Sequence, residues 1–148
     1  MIDDVGPGIG EGPSLREISR RLTSPARSGL VLTKERLGGL GRELSLPVGF
    51  GERSEMLLNL FRAAAQLERL PELLDTLRAE ADRWDRRYVE WSERYPASRA
   101  IWDEWRGRLA GTRALLNDMS AAMLRDSPEH DPARSSRTRP GSPSPQSD

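Results

Sequence analysis

Apolar residues in the second half of the chain recur at spacings typical of two facing helices. The first stripe advances by 4, 3, 4, 3 and 4 residues through Leu77, Ala81, Trp84, Tyr88, Trp91 and Tyr95. The second advances by 3, 4, 3, 4, 3 and 4 residues through Trp102, Trp105, Leu109, Thr112, Leu116, Met119 and Met123. Alternating steps of three and four form the heptad repeat of coiled coils. Because only a short break at Pro96 separates the stripes, they predict an antiparallel helical hairpin, with helices over 71–95 and 98–125.

The register of this hairpin follows from the position of the break. Residues that face each other should have numbers that sum to about 193, which places Trp91 beside Trp102 and Leu77 beside Leu116. Pro71 suits the first position of the first arm, because a proline there loses no hydrogen bond.

The first half of the chain predicts shorter helices. Ser14 and Glu17 have the spacing of a capping box, and the apolar stripe behind them ends before Pro25. A second helix is predicted from Thr33 to Leu44 with its leucines inward. Three glycines within it leave the regularity of that helix open. The prolines and glycines of 46–51 then forbid a helix.

A longer helix is predicted from Glu52 to about Arg69, and it should form the centre of the core. Its wide apolar face consists of Met56, Leu57, Leu60, Phe61, Ala64 and Leu67. The fold class is therefore all-α: a small helical bundle over 14–70, extended by a long antiparallel, coiled-coil-like hairpin.

Both ends of the chain differ in composition from this helical part. Residues 1–13 are rich in glycine and proline, and half of residues 127–148 are proline or serine. Such segments have too little apolar surface to share a core, so both are predicted to be disordered. One helical domain is expected over 14–126.

The composition argues against enzymatic chemistry. The chain has no cysteine, and its one histidine, His130, lies in the predicted tail. A catalytic triad, a thiolate nucleophile and a histidine or cysteine metal site are thereby excluded. The carboxylates Glu80, Asp82, Asp85 and Glu90 alternate with arginines and are expected on a solvated helix face. We predict no enzyme activity, catalytic residue, metal or cofactor.

Four tryptophans fall within 22 residues of the predicted hairpin. They could fill the hairpin interior, or they could form a binding site, because two helices cannot fully cover side chains of that size. Tryptophan, tyrosine and arginine dominate binding hot spots. The predicted interaction residues are Tyr88, Trp91, Tyr95, Trp102 and Trp105. A protein partner is expected, which could be a second copy in a homo-oligomer.

A basic segment over 16–36 supports a different hypothesis. It carries six cationic residues against Glu17 and Glu35. This excess could serve a DNA-binding regulator, but Pro25 and Gly29 interrupt the place where a recognition helix would follow. Nucleic acid is the less favoured partner, since the net charge of the whole chain is zero.

The chain from about 37 to 77 resembles the effector-associated domains of bacterial conflict systems, which are small, death-like helical adaptors. Three features carry the resemblance: a leucine-rich helix, a loop with glycine and proline, and an Arg-Leu-Pro-Glu-Leu turn after a second helix. They correspond here to 40–44, 46–51 and 69–73. The resemblance implies homotypic or adaptor-type binding in bacterial defence or signalling.

The sequence therefore predicts a non-enzymatic adaptor for protein–protein interaction. The N-terminus lacks the pattern of a signal peptide and no apolar run is long enough to span a membrane, so a cytoplasmic protein is expected. A DNA-binding regulator is the alternative from another class. An accessory or chaperone-like subunit of a separately encoded enzyme is a third hypothesis.

Overall fold

The computed structural model describes residues 13–126, with side chains up to residue 124. These residues form helices and no strand, which confirms the all-α class. A 3-10 turn, Pro96–Ser98, separates the last two helices. The helices are α1 (Leu15–Leu22), α2 (Pro25–Ser28), α3 (Lys34–Leu44), α4 (Arg53–Gln66), α5 (Leu70–Arg94) and α6 (Arg99–Asp126).

The chain divides after Leu116 into two compact units. The first contains α1 to α5 and the start of α6. In the second, the structure describes only 117–126, which are helical. A single helical domain over 14–126 stays a prediction. The segments predicted to be disordered, 1–13 and 127–148, lie outside the described residues except for Pro13.

The predicted capping box of the first helix is present, and the next long helix is also capped. At the start of α1, the Glu17 amide donates to the Ser14 hydroxyl at 3.2 Å, and the Ser14 amide donates to the Glu17 carboxylate at 3.3 Å. Thr33 caps α3 by accepting the Arg36 amide at 3.0 Å. Each cap satisfies amides that the first turn leaves without partners.

Helix α3 is regular despite its glycines, and Gly41 has a packing role. A β-carbon at Gly41 would lie 2.2 Å from Val48 Cγ2 and 2.8 Å from the Leu46 carbonyl oxygen. Only glycine therefore allows the 46–51 loop to approach this closely. The Asn59 amide fixes the loop from the other side by donating to the Val48 carbonyl at 2.8 Å.

Helix α4 lies at the centre of the core and contacts α1, α3 and α5. Its buried side chains are Met56, Leu57, Leu58, Leu60, Phe61, Ala63 and Ala64. The inward position predicted for Leu67 is wrong, since this side chain is 55% exposed. The helix ends at Gln66, so residue 67 no longer follows the apolar face, and the chain reverses at Glu68 with a φ of 58°.

The chain between α1 and α3 packs on the last two helices. The Thr112 hydroxyl donates to the Ser28 carbonyl at 2.7 Å, and the Tyr88 hydroxyl donates to the Gly29 carbonyl at 2.7 Å. Leu30 is fully buried. The sequence pattern predicts a hairpin that extends away from the bundle, whereas here the 28–30 segment covers one side of it.

Contacts between α5 and α6 run in opposite directions along the two helices. The Trp91 and Trp102 rings are 4.9 Å apart. Ion pairs then join Asp85 to Arg106 at 2.8 Å and Asp82 to Arg113 at 3.0 Å. The residue numbers in these pairs decrease along α5 as they increase along α6. The antiparallel hairpin over 71–95 and 98–125 stays a prediction, as does coiled-coil packing of the full arms.

The solvent-exposed position predicted for Glu80 on α5 is wrong, because its side chain is only 2% exposed. Its carboxylate forms ion pairs with Arg36 on α3 and with Arg83, the latter at 3.0 Å. Helix α3 packs over this part of α5, so the position that a two-helix pattern assigns to solvent is covered. The two guanidinium groups compensate the buried charge.

Candidate protein-interaction surface

The aromatic side chains of α5 and α6 form one cluster, with Tyr88 at its centre. The Tyr88 ring lies 5.7 Å from Trp84, 5.8 Å from Trp91, 5.8 Å from Trp102 and 6.1 Å from Trp105. The Trp102 ring is stacked on it, with an angle of 13° between the planes. These separations lie in the favourable range for aromatic pairs. We call these five residues the aromatic cluster.

The members of the aromatic cluster differ in exposure. All four tryptophans are partly exposed, whereas Tyr88 is 2% exposed. Tyr88 was predicted to contact a partner, but its ring is enclosed by the tryptophans and its hydroxyl is held by the Gly29 carbonyl. Its role is therefore to orient the surrounding rings, and it has almost no surface for a partner.

Two arginines cover the outer faces of tryptophan rings. The Arg87 guanidinium carbon lies 4.6 Å from the centre of the Trp84 ring, and that of Arg108 lies 4.7 Å from the Trp105 ring. Cation–π contacts of this kind stabilise both side chains. They also place a charged, planar donor group next to these two partly exposed indoles.

Two further exposed apolar side chains lie near the 3-10 turn. Tyr95 is 53% exposed and Ile101 is 52% exposed. Tyr95 follows Trp91 by four residues, and Ile101 precedes Trp105 by four, so each pair lies about one turn apart along its chain. We call Trp91, Tyr95, Ile101, Trp102 and Trp105 the turn surface. It contains four of the five predicted interaction residues and adds Ile101.

Ile101 is not among the predicted interaction residues, because these follow the heptad stripe. It precedes Trp102, the first member of the second stripe, and therefore falls outside the repeat. An apolar residue off the stripe and close to a helix break was the signal that could have identified it. Phe50, between two glycines of the 46–51 loop, is another missed apolar residue and is 98% exposed.

The described residues give little support to a metal site, a membrane span or a nucleic-acid site. Within 13–126, no group of three or more histidine, cysteine, aspartate or glutamate residues could hold a metal ion. In the same stretch, no helix combines the length and the apolar character required to cross a bilayer. In the basic segment, Arg16 is paired with Glu55 at 2.9 Å and Arg36 with Glu80. Two of its six cations are thus engaged within the protein.

Burial raises the pKa of Tyr88 above its ordinary value of 10.0, although Arg108 and Arg87 act in the opposite direction. An unfolded tyrosine then ionises before the folded one. The stability that this difference provides is complete below pH 10 and is lost as the pH rises through the higher folded pKa.

Tyr88→Phe tests this assignment. At pH 8 the variant should be less stable by about 1 to 2 kcal/mol, because the Gly29 carbonyl loses its donor. Above pH 10 the difference should shrink, since phenylalanine does not ionise. Urea unfolding followed by tryptophan fluorescence from pH 8 to pH 11 measures both stabilities, and parallel profiles would contradict the buried hydroxyl.

No family model, curated protein or solved structure matches the chain. The function is therefore inferred from the surface of the molecule itself.

Proposed function

We propose that the protein is a non-enzymatic adaptor that binds another protein through the turn surface. The observation that carries this proposal is that Tyr95 and Ile101 are exposed, and three tryptophans partly exposed, around one helix break. Exposed large apolar side chains that are grouped in this way are typical of interaction sites.

The arrangement of the rings favours tight binding. Each tryptophan of the turn surface contacts Tyr88, so its orientation is already fixed before a partner arrives. Binding then loses little side-chain entropy. Arg108 beside Trp105 adds the third residue type that is enriched in hot spots.

A second copy of the chain is the partner that we propose. Around the turn surface, charges of both signs occur: Glu90 pairs with Arg94 at 3.5 Å and Glu104 with Arg108 at 3.3 Å. A two-fold interface brings each patch against itself, and mixed charge permits opposite signs to meet. Since the net charge of the chain is zero, two copies do not repel each other at long range.

The resemblance of residues 37 to 77 to effector-associated domains supports the same class of function. We propose an adaptor in bacterial defence or signalling, acting in the cytoplasm, where a chain without cysteine has no need of an oxidising environment. An accessory subunit that uses the turn surface to bind a separately encoded enzyme is the alternative partner arrangement.

Serine substitution at the turn surface tests the proposal. Tyr95→Ser combined with Ile101→Ser should weaken self-association at least tenfold, because both side chains are exposed and contribute contact area without supporting the fold. Sedimentation equilibrium over a range of concentrations gives the dissociation constants. The thermal midpoints of the two proteins should agree within a few degrees.

Leu67→Ser is the matched control, since Leu67 is 55% exposed but lies at the end of α4. It should leave the association constant unchanged. An equal effect of the control and the double variant would remove the turn surface from the interface. A protein that stays monomeric, and captures no partner through the turn surface in a pull-down from its host, would remove the adaptor function altogether.

A further inference from the structure

A basic cavity lies away from the turn surface, where α1, α2 and α6 come together. Its volume is about 330 Å³. This lies within the range of small-molecule pockets, at the lower end. The side chains that line it include Glu17, Ile18, Arg20, Arg21, Arg27 and Leu115.

The charge in this cavity is only partly compensated by the part of the chain that the structure describes. Arg20, Arg21 and Arg27 form no ion pair with any residue of 13–126, whereas the nearby Arg16 is paired with Glu55. The one carboxylate in the lining, Glu17, accepts the Ser14 amide in the capping box. Three guanidinium groups therefore face one acid, a local excess of two positive charges.

The Arg21 side chain approaches α6 closely at Gly111. A β-carbon at this position would lie 3.3 Å from Nη2 of Arg21, so the guanidinium lies over the backbone of the helix. Leu115 follows one turn later and forms an apolar wall together with Ile18, which is 6% exposed. The cavity thus combines a positioned cationic group with an apolar side.

We infer that this cavity binds a phosphate group, either as the free anion or as the monoester of a small molecule. Arginine presents planar, paired donors that match phosphate oxygens, and several arginines around one cavity can neutralise a dianion. The apolar wall provides room for an organic substituent. Duplex DNA is less suited, because it requires an extended row of cations and two of those in 16–36 are already paired.

Calorimetric titration of the full chain at low salt tests the inference, with inorganic phosphate and phenyl phosphate as probes and chloride at equal ionic strength as the reference. Arg21→Gln and Arg27→Gln should each weaken phosphate binding about tenfold, which corresponds to about 1.4 kcal/mol. The matched control is Arg86→Gln, an exposed arginine on α5 that removes the same charge elsewhere.

Gly111→Ala provides a second variant that does not remove charge. It should shift the Arg21 guanidinium by a few tenths of an ångström and weaken phosphate binding less than Arg21→Gln does, while the thermal midpoint stays the same or rises, because alanine favours the helix. Equal affinities for the two phosphates would assign the free anion, and tighter binding of phenyl phosphate would assign a monoester. Either result supports the phosphate site.

Three results would overturn it. The first is a heat of binding no greater for phosphate than for chloride. The second is equal weakening by Arg86→Gln and Arg21→Gln, which would show a general charge effect. The third is binding of a short DNA duplex that phosphate does not compete with and that Arg21→Gln abolishes, which would assign the arginines to nucleic acid.

Discussion

Gly29→Ala should lower the free energy of unfolding by about 3 kcal/mol, the sum of backbone strain and overpacking. Gly29 has a φ of 79°, which alanine adopts only with strain. An added β-carbon would lie 2.9 Å from Leu109 Cγ and 2.9 Å from the Trp105 carbonyl oxygen. The backbone oxygen cannot move unless α6 moves, so the 28–30 segment must separate from the helix.

Gly107→Ala is the matched control for this prediction. Gly107 also lies in α6, but a β-carbon there would meet no atom within 4 Å. The substitution should therefore raise stability by up to about 1 kcal/mol through helix propensity. Urea unfolding of both variants measures the difference. Similar stabilities for the two alanine variants would contradict the close approach of the 28–30 segment to α6.

The sequence could not predict this approach, because its cause is not local. Gly29 reads as a helix break, and it does end α2, but its contact with Leu109 joins residues far apart in the chain. The capping box of Ser14 and the start of α5 near Pro71 were predictable, since neighbouring residues determine them.

In the candidate interaction surface, too, features set by neighbouring residues were predictable and contacts between distant parts of the chain were not. The heptad spacing was sufficient to predict that Trp91 and Trp102 meet, because both positions depend only on helix geometry and one break. Burial of the Tyr88 ring agrees with its place on the first stripe, but the hydrogen bond from its hydroxyl to the Gly29 carbonyl was not predictable, since that carbonyl comes from another part of the chain. Exposure at Tyr95 and Ile101 follows from their place beside the turn.

Glu80 shows how a third element changes the meaning of a surface pattern. On α5 alone, an acid next to arginines indicates a solvated face. Helix α3 covers this position and supplies Arg36, so the carboxylate is buried but paired. A buried charge is tolerated only with such a partner. Removing one member of the buried pair should therefore lower the stability of the fold far more than the loss of a surface ion pair does.

We expect Glu80→Ala to lower the free energy of unfolding by about 2 to 4 kcal/mol. The value lies below that for a fully enclosed pair, because Arg83 is 50% exposed and can turn to water once its partner is lost. Arg36, 29% exposed, has less access to solvent, although Glu43 lies 3.6 Å away as a second partner. Glu90→Ala removes an acid that is 62% exposed and should change stability by less than about 0.5 kcal/mol.

Glu80→Gln separates the charge from the shape of the side chain. Glutamine keeps nearly the same volume and one acceptor oxygen, so a loss close to that of alanine would show that the paired charge dominates. If Glu80→Gln loses almost no stability, the side chain acts mainly by filling the space between α3 and α5. Urea unfolding at 0.1 M and 1 M salt adds an independent criterion, since salt screens exposed pairs strongly and buried ones weakly. The destabilisation by Glu80→Ala should persist at 1 M salt if the carboxylate acts from a buried position, and its disappearance would return Glu80 to the solvated face that the sequence pattern predicts.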